Sequence, residues 1–295
     1  MFYVLITGHS FLFTKIALRT GDPVDILAHR FVAAFIGVII AVLFGWFKVN
    51  FNKEQVLKII PLALLYPLTF FGLQTAGLQY ATSSEAGIIS ASAPIFTLVM
   101  ASFFLKEKSN TLQQLSIIIS VSGVVYVAVM KGASLDFNNL LGIMLLTLSS
   151  LTIAGYNVLA RRLTKSFTNI ELSSVMITIS FVCYNTAAII KHLLNGSIKD
   201  YFAPYSSVSF VISIIYLGIL SSLVSSLLTN YMLSKIEASR AGVFTNLGTV
   251  VTIIAGVLIL KEKIYNYHII GSILIVGGVI GANYFKHISG KTTSA

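Results

Sequence analysis

The residues best equipped for chemistry in this chain are amides and hydroxyls set inside long apolar runs: Gln74 and Gln79, Tyr156 and Asn157, Asn230 and Asn246. Amides in hydrocarbon cost free energy unless partnered, so such side chains face a cavity or another helix. Their chemistry is to hold a polar solute by hydrogen bonds and release it, with no bond broken. His9 lies within the first apolar run and is the candidate for proton coupling, its alternative role being a hydrogen-bonded contact between helices. Ser239 suits a helix N-cap and places Arg240 at the first helical position, where the helix dipole opposes a cation by roughly 0.3–1 kcal/mol. A bound anion, held by Arg240 and the free N–H groups, would remove that conflict; Glu237 or lipid phosphates would do the same. Ser84 and Glu85 form the equivalent pair earlier in the chain, and there the anion is favourable.

A membrane enzyme acting on a lipid-linked substrate is the alternative function. It needs converging acids, bases or metal ligands. None of the ten acidic residues sits in the middle of an apolar run, and the five histidines are scattered. No Gly-x-x-x-x-Gly-Lys-Ser/Thr loop is present to cradle phosphates, which argues against ATP-driven transport. Cys183 is the sole cysteine, excludes an intrachain disulfide, and reads as packing. No cofactor or metal is implied.

The elements that must position these groups follow from composition. Apolar residues make up 56% of the chain and charged residues 10%, against about 25% charged in soluble domains, so the solvent is a bilayer. The net charge of +10 comes from Lys and Arg between apolar runs, without the basic, aromatic-interleaved patch of a nucleic-acid binder; it meets lipid headgroups instead. The runs cover about 2–18, 28–47, 57–80, 86–105, 112–130, 140–160, 172–194, 208–233, 241–260 and 264–285. Each is near the roughly 20 residues that cross a membrane as a helix. The expected fold is all-α and integral to the membrane, with ten transmembrane helices. Lys15 and Arg19, followed by His29 and Arg30 at the start of the second run, gather basic groups on one face of the membrane, either snorkelling to headgroups or forming a cationic mouth.

Shifting the sequence by 155 positions pairs Ser84-Glu85-Ala86-Gly87 with Ser239-Arg240-Ala241-Gly242 and Leu105-Lys106-Glu107-Lys108 with Leu260-Lys261-Glu262-Lys263. A turn and a charged stop in the same register mark a duplicated unit: five helices in 1–131, five in 132–286, then a short tail at 287–295. An odd number of helices per half inverts the second copy, a plan that places solute near the midplane between the halves. Twelve Lys and Arg against six, Lys15 and Arg30 set aside, put both termini in the cytoplasm. Small-polar stripes (Ser83, Ser90 and Thr97; Gly218, Ser222, Ser225 and Thr229) serve either helix packing or a solute path. The Gly277-xxx-Gly281 face, with Gly278 beside it, packs inside a monomer or builds a homodimer.

Pro94-Ile95-Phe96 leading to Phe104-Leu105-Lys106-Glu107, its echo ending in Ile259-Leu260-Lys261-Glu262, the early Ser10-Phe11…Lys15 and the Pro23…His29-Arg30-Phe31 pattern resemble the drug/metabolite transporter superfamily, in its ten-helix EamA-type branch. The resemblance spans essentially the whole chain. It implies a multi-pass carrier of the bacterial inner membrane, usually an exporter of amino acids, metabolites or toxic compounds, with a central cavity between the halves. The proline of the first copy stands as Thr249 in the second, and Met1 lies nearer the first helix than the family pattern has it.

Overall fold

Where backbone groups meet lipid they must be bonded within their own segment, and every regular element of the described residues is helical. The computed structural model describes residues 2–47, 52–105, 110–132, 137–236 and 238–292, with side chains at all of these except 105, 128, 131–132, 137–139, 238–247, 283 and 286–292. The principal helices are α1 (Phe2–Ala17), α2 (Pro23–Leu43), α3 (Lys53–Tyr80), α4 (Ser83–Phe104), α5 (Thr111–Gly132), α6 (Phe137–Leu163), α7 (Asn169–Leu194), α8 (Val208–Lys235), α9 (Ala238–Leu260) and α10 (Asn266–Thr292). Six of them, α2, α3, α4, α6, α7 and α8, are long and apolar enough to cross a membrane. The others contain the shorter apolar helices Phe2–Ala17, Thr111–Val127, Gly248–Leu260 and Asn266–Ala282.

Local chemistry moves two helix starts from their expected places. α2 begins at Pro23, before the apolar run itself, because Asp22 accepts from the Val24 N–H (2.9 Å) and proline fits the first helical position. His29 and Arg30 therefore fall in its second turn, inside the bundle, where both are buried; neither snorkels. α4 is capped by Thr82 rather than Ser84. The Thr82 hydroxyl accepts from the Glu85 N–H (3.1 Å) while the Thr82 N–H donates to the Glu85 carboxylate (2.8 Å), a reciprocal pair that Ser84 is out of register to make.

α8 contains a stretch of widened turns, Tyr216–Val224, and α3 is kinked within Leu64–Thr69, where Tyr66 takes an extended backbone (φ −143°, ψ 130°). In α3 the cause is Pro61 and Pro67, which lack the N–H that would close a regular turn. The two stretches overlap when the sequence is shifted by 155. Each is tied to a neighbouring helix: Arg30 of α2 bonds Ser221 and Ser222 in α8, and the Tyr184 hydroxyl of α7 donates to the Leu68 carbonyl in α3.

α5 and α10 pack face to face. Gly123 lies against Leu274 and Ile275, Gly278 lies against Ser116 and Ser120, and the Ser120 hydroxyl donates to the Ile275 carbonyl (3.2 Å). Gly281 also meets Ser116, whereas Gly277 faces open space. An apolar core of α2, α3, α6, α7 and α8 is centred on Phe31, Leu62, Tyr156 and Met176. Cys183 is exposed rather than packed in that core, because it lies on the outward face of α7.

Candidate functional site

A cavity of about 1000 Å³, its opening included, lies between the helices. Residues 1–131 contribute Tyr3, Thr7 and Ser10 from α1, Tyr66, Phe71 and Gln74 from α3, and Ser90 and Pro94 from α4. From residues 132–286 come Ser150 and Asn157 of α6, Ser221, Ser225 and Thr229 of α8, and Thr249 and Thr252 of α9. Breaks in regular helix place several of these groups. The kink of α3 carries Tyr66 into the wall, the widened turns of α8 carry Ser221, and α4 is interrupted at Ala91–Ser92 just before Pro94.

Most wall hydroxyls already have backbone partners, as expected of Ser and Thr in an apolar bundle. Thr252 donates to the Gly8 carbonyl (2.8 Å), Thr249 to Gly87 (3.1 Å) and Ser225 to Ser221 (2.6 Å). Gln74 is different: it is 3% exposed, borders the cavity, and its Oε1 has no hydrogen-bond partner. Asn157 donates to the Thr97 hydroxyl at 3.4 Å, a long contact. The described wall holds no carboxylate, imidazole, thiol or amine. Its chemistry is to accept and donate hydrogen bonds within an apolar enclosure.

Of the residues singled out from sequence, Gln74 and Asn157 border this cavity. Tyr156 and Asn230 do not. The Tyr156 hydroxyl donates to Asn230 Oδ1 (2.8 Å) and Asn230 Nδ2 donates to Ser173 Oγ (2.9 Å), so together they join α6, α8 and α7. Gln79 is exposed near the end of α3 and does not border the cavity. His9 is half-buried outside this wall, its Nδ1 2.9 Å from the Leu5 carbonyl. The side chains of Asn246 and Arg240 lie outside the described residues.

Sequence reading missed Ser10 and Ser221, and it misplaced Arg30 at the membrane edge. Ser222 did belong to a small-polar stripe, and that stripe was the available signal, since Ser225 and Thr229 of the same stripe line the cavity. Above α2, the stretch Ile198–Ser206 covers the buried end of the helix. The His29 Nε2 donates to the Tyr201 carbonyl (2.9 Å), and burial, followed by the neighbouring Tyr205, pushes the Tyr201 phenol up to about 12. Tyr201 thus stays a neutral donor to Asn185 Oδ1 (2.9 Å).

The EamA-like transporter family model matches residues 1–129 and 140–284. The chain belongs to the EamA-like transporter family. It is 47% identical, over 95% of its own length and 90% of the relative's, to YcxC of Bacillus subtilis (strain 168), described as an uncharacterized transporter. An uncharacterized transporter of Archaeoglobus fulgidus is 27% identical over 92% of each chain. A protein of known crystal structure, 16% identical, superposes with a TM-score of 0.64 over 96% of this chain and 97% of its own, a likeness of fold. The chain is accordingly a multi-pass membrane transporter, and a small solute and the surrounding lipids are its partners.

Proposed function

We propose that this family member is a secondary carrier that exports small metabolites, of the amino-acid or toxic-compound kind, across the bacterial inner membrane by alternating access, with ten membrane crossings in two inverted five-helix halves and both termini in the cytoplasm. The observation that carries this is the cavity itself. Its wall is drawn from both 1–131 and 132–286, and it holds a buried amide, Gln74, with an unused acceptor.

Reciprocal contacts support the inverted plan. Under the 155-residue shift Gly123 corresponds to Gly278 and Ser120 to Ile275, so Gly123 on Ile275 and Gly278 on Ser120 are one contact made twice. Self-complementary contacts of this kind are what a two-fold axis produces. The ties from α2 to the widened turns of α8, and from α7 to the kinked stretch of α3, repeat the pattern. The kink of α3 and the widened turns of α8, both in helices that border the cavity, would also give each half a place to flex.

The test is transport by the purified full-length protein in liposomes against a metabolite panel, followed by Gln74→Ala and Asn157→Ala. Because the Gln74 acceptor is unused and the Asn157 contact is long, both variants are expected to lose transport about 10-fold or more while keeping the wild-type melting temperature. Loss of stability in parallel with transport would assign them to packing, and transport unaffected by both would remove the cavity as the solute site.

A further inference from the structure

Arg30 is the largest fully buried side chain described, at 0% exposure in the second turn of α2. An arginine carries its charge at any physiological pH, and a charge withdrawn from water is normally matched by an opposite one. Here every partner is neutral. Nε donates to Ser222 Oγ (2.7 Å), Nη2 to Ser221 Oγ (3.1 Å) and the Ser221 carbonyl (3.4 Å), and the guanidinium lies 3.5 Å over the Phe71 ring. Nη1 has no acceptor. Among the described residues no carboxylate pairs with Arg30; Asp22 and Asp25 engage Lys191 and His192, Glu85 faces His268, and Glu262 accepts from Ser83 and Ser84.

Packing alone does not call for this charge. The 155-residue shift places Asn185 where Arg30 stands, beside Tyr184, and in that copy neutral groups make the equivalent ties: Tyr184 to the Leu68 carbonyl and Asn185 to the Ala28 carbonyl (3.3 Å). Only one of the two halves has a cation there. Two of the Arg30 contacts, Phe71 and Ser221, form part of the cavity wall, so the guanidinium lies one side chain behind it. Ser221 Oγ accepts from Arg30 and donates to Ser10 Oγ (2.8 Å), which also lines the cavity. That chain of dipoles runs outward from the cation and leaves the Ser10 hydroxyl hydrogen for a ligand.

We infer that the solute carried in this cavity is a small organic monoanion, its carboxylate seated against Ser10 and Ser221 under the field of Arg30 and its apolar body against Phe70, Pro94, Ile153 and Met232. This rests on the carrier reading of the cavity and adds the chemical class of its cargo. One buried cation balances one negative charge, and a dianion would leave a buried excess.

The experiment uses full-length protein in detergent and size-matched probes: 3-phenylpropionate, its primary amide, 3-phenylpropylamine and phenyl phosphate, with butyrate, butyramide and butylamine as a shorter set. Dissociation constants are read from titration calorimetry. Wild type is expected to bind each carboxylate about 10-fold or more tightly than its amide, the worth of hydrogen bonding to a charged group. Arg30→Gln should abolish that difference, and Arg30→Lys should restore part of it. Should Arg30→Gln fail to melt cooperatively, Ser221→Ala, which keeps the guanidinium, is expected to weaken carboxylate binding severalfold more than amide binding. Equal binding of carboxylate and amide by wild type, equal loss of both in the variants, or preference for the amine or for phenyl phosphate would overturn the monoanion inference with the carrier reading intact. Binding of no probe of any charge would overturn the cavity as a solute site, and this inference with it.

Discussion

Two adjacent glycines offer an internally controlled test of the packing between α5 and α10. A Cβ at Gly278 would stand 2.6 Å from the Ser116 carbonyl oxygen and 2.7 Å from Ser120 N and Cβ; a Cβ at Gly277 would meet nothing within 4 Å. The close atoms at Gly278 are largely backbone, so no side chain can swing aside and the helices must part. Overpacking of this kind costs about 1–3 kcal/mol. Both substitutions gain the same helix propensity, about 0.8–1 kcal/mol for Gly→Ala, so the difference between them isolates the packing. Gly277→Ala should be neutral to stabilising, and Gly278→Ala should melt below it by on the order of 5 °C, from about 2–4 °C per kcal/mol for chains of 150–250 residues. Thermal unfolding of both full-length variants in one detergent measures this. Gly123→Ala, whose Cβ would lie 2.9 Å from Ile275 Cγ1 and 3.0 Å from Ile275 N, should behave like Gly278→Ala. Equal melting temperatures for the adjacent pair, or a greater loss at Gly277, would refute the facing of α10 described above.

The remaining expectations concern glue, caps and topology. Tyr156→Phe leaves Asn230 Oδ1 buried without its donor and should cost about 1–3 kcal/mol, with transport per folded molecule unchanged because neither residue borders the cavity; a transport defect at full stability would contradict that. Glu262 joins the link between α9 and α10 to the start of α4, its carboxylate accepting from the N–H groups of Ser83 (2.7 Å) and Ser84 (2.9 Å). Glu262→Ala should therefore lower stability by about 2 kcal/mol, the sum of a lost cap and a lost dipole partner, and an unchanged melting temperature would count against the staple. On a Cys183→Ser background, Lys165→Cys and Lys199→Cys should label from opposite sides of the membrane with an impermeant maleimide in cells, and labelling from the same side would end the proposed orientation.

The sequence by itself determined the solvent and the helical class. Apolar run length, charge confined to connections and a turn-plus-stop echo are local quantities, and bilayer physics turns them directly into helices. It determined Gln74 and Asn157 as groups needing a partner, because the cost of an amide in hydrocarbon does not depend on the fold. Which way those groups face was decided only by the tertiary structure. Tyr156 and Asn230 carry the same signal as Gln74, yet they satisfy each other across α6 and α8, and no spacing in the chain records a bond between residues so far apart. Ser10 and Ser221 are ordinary hydroxyls in sequence and become a pair only where α1 meets the widened turns of α8. Arg30 shows the division most sharply. Its position beside the expected helix edge predicted either a headgroup contact or a place in a cationic mouth, but Asp22 and Pro23 start α2 early enough to carry the guanidinium inside, among neutral partners on the wall of the cavity.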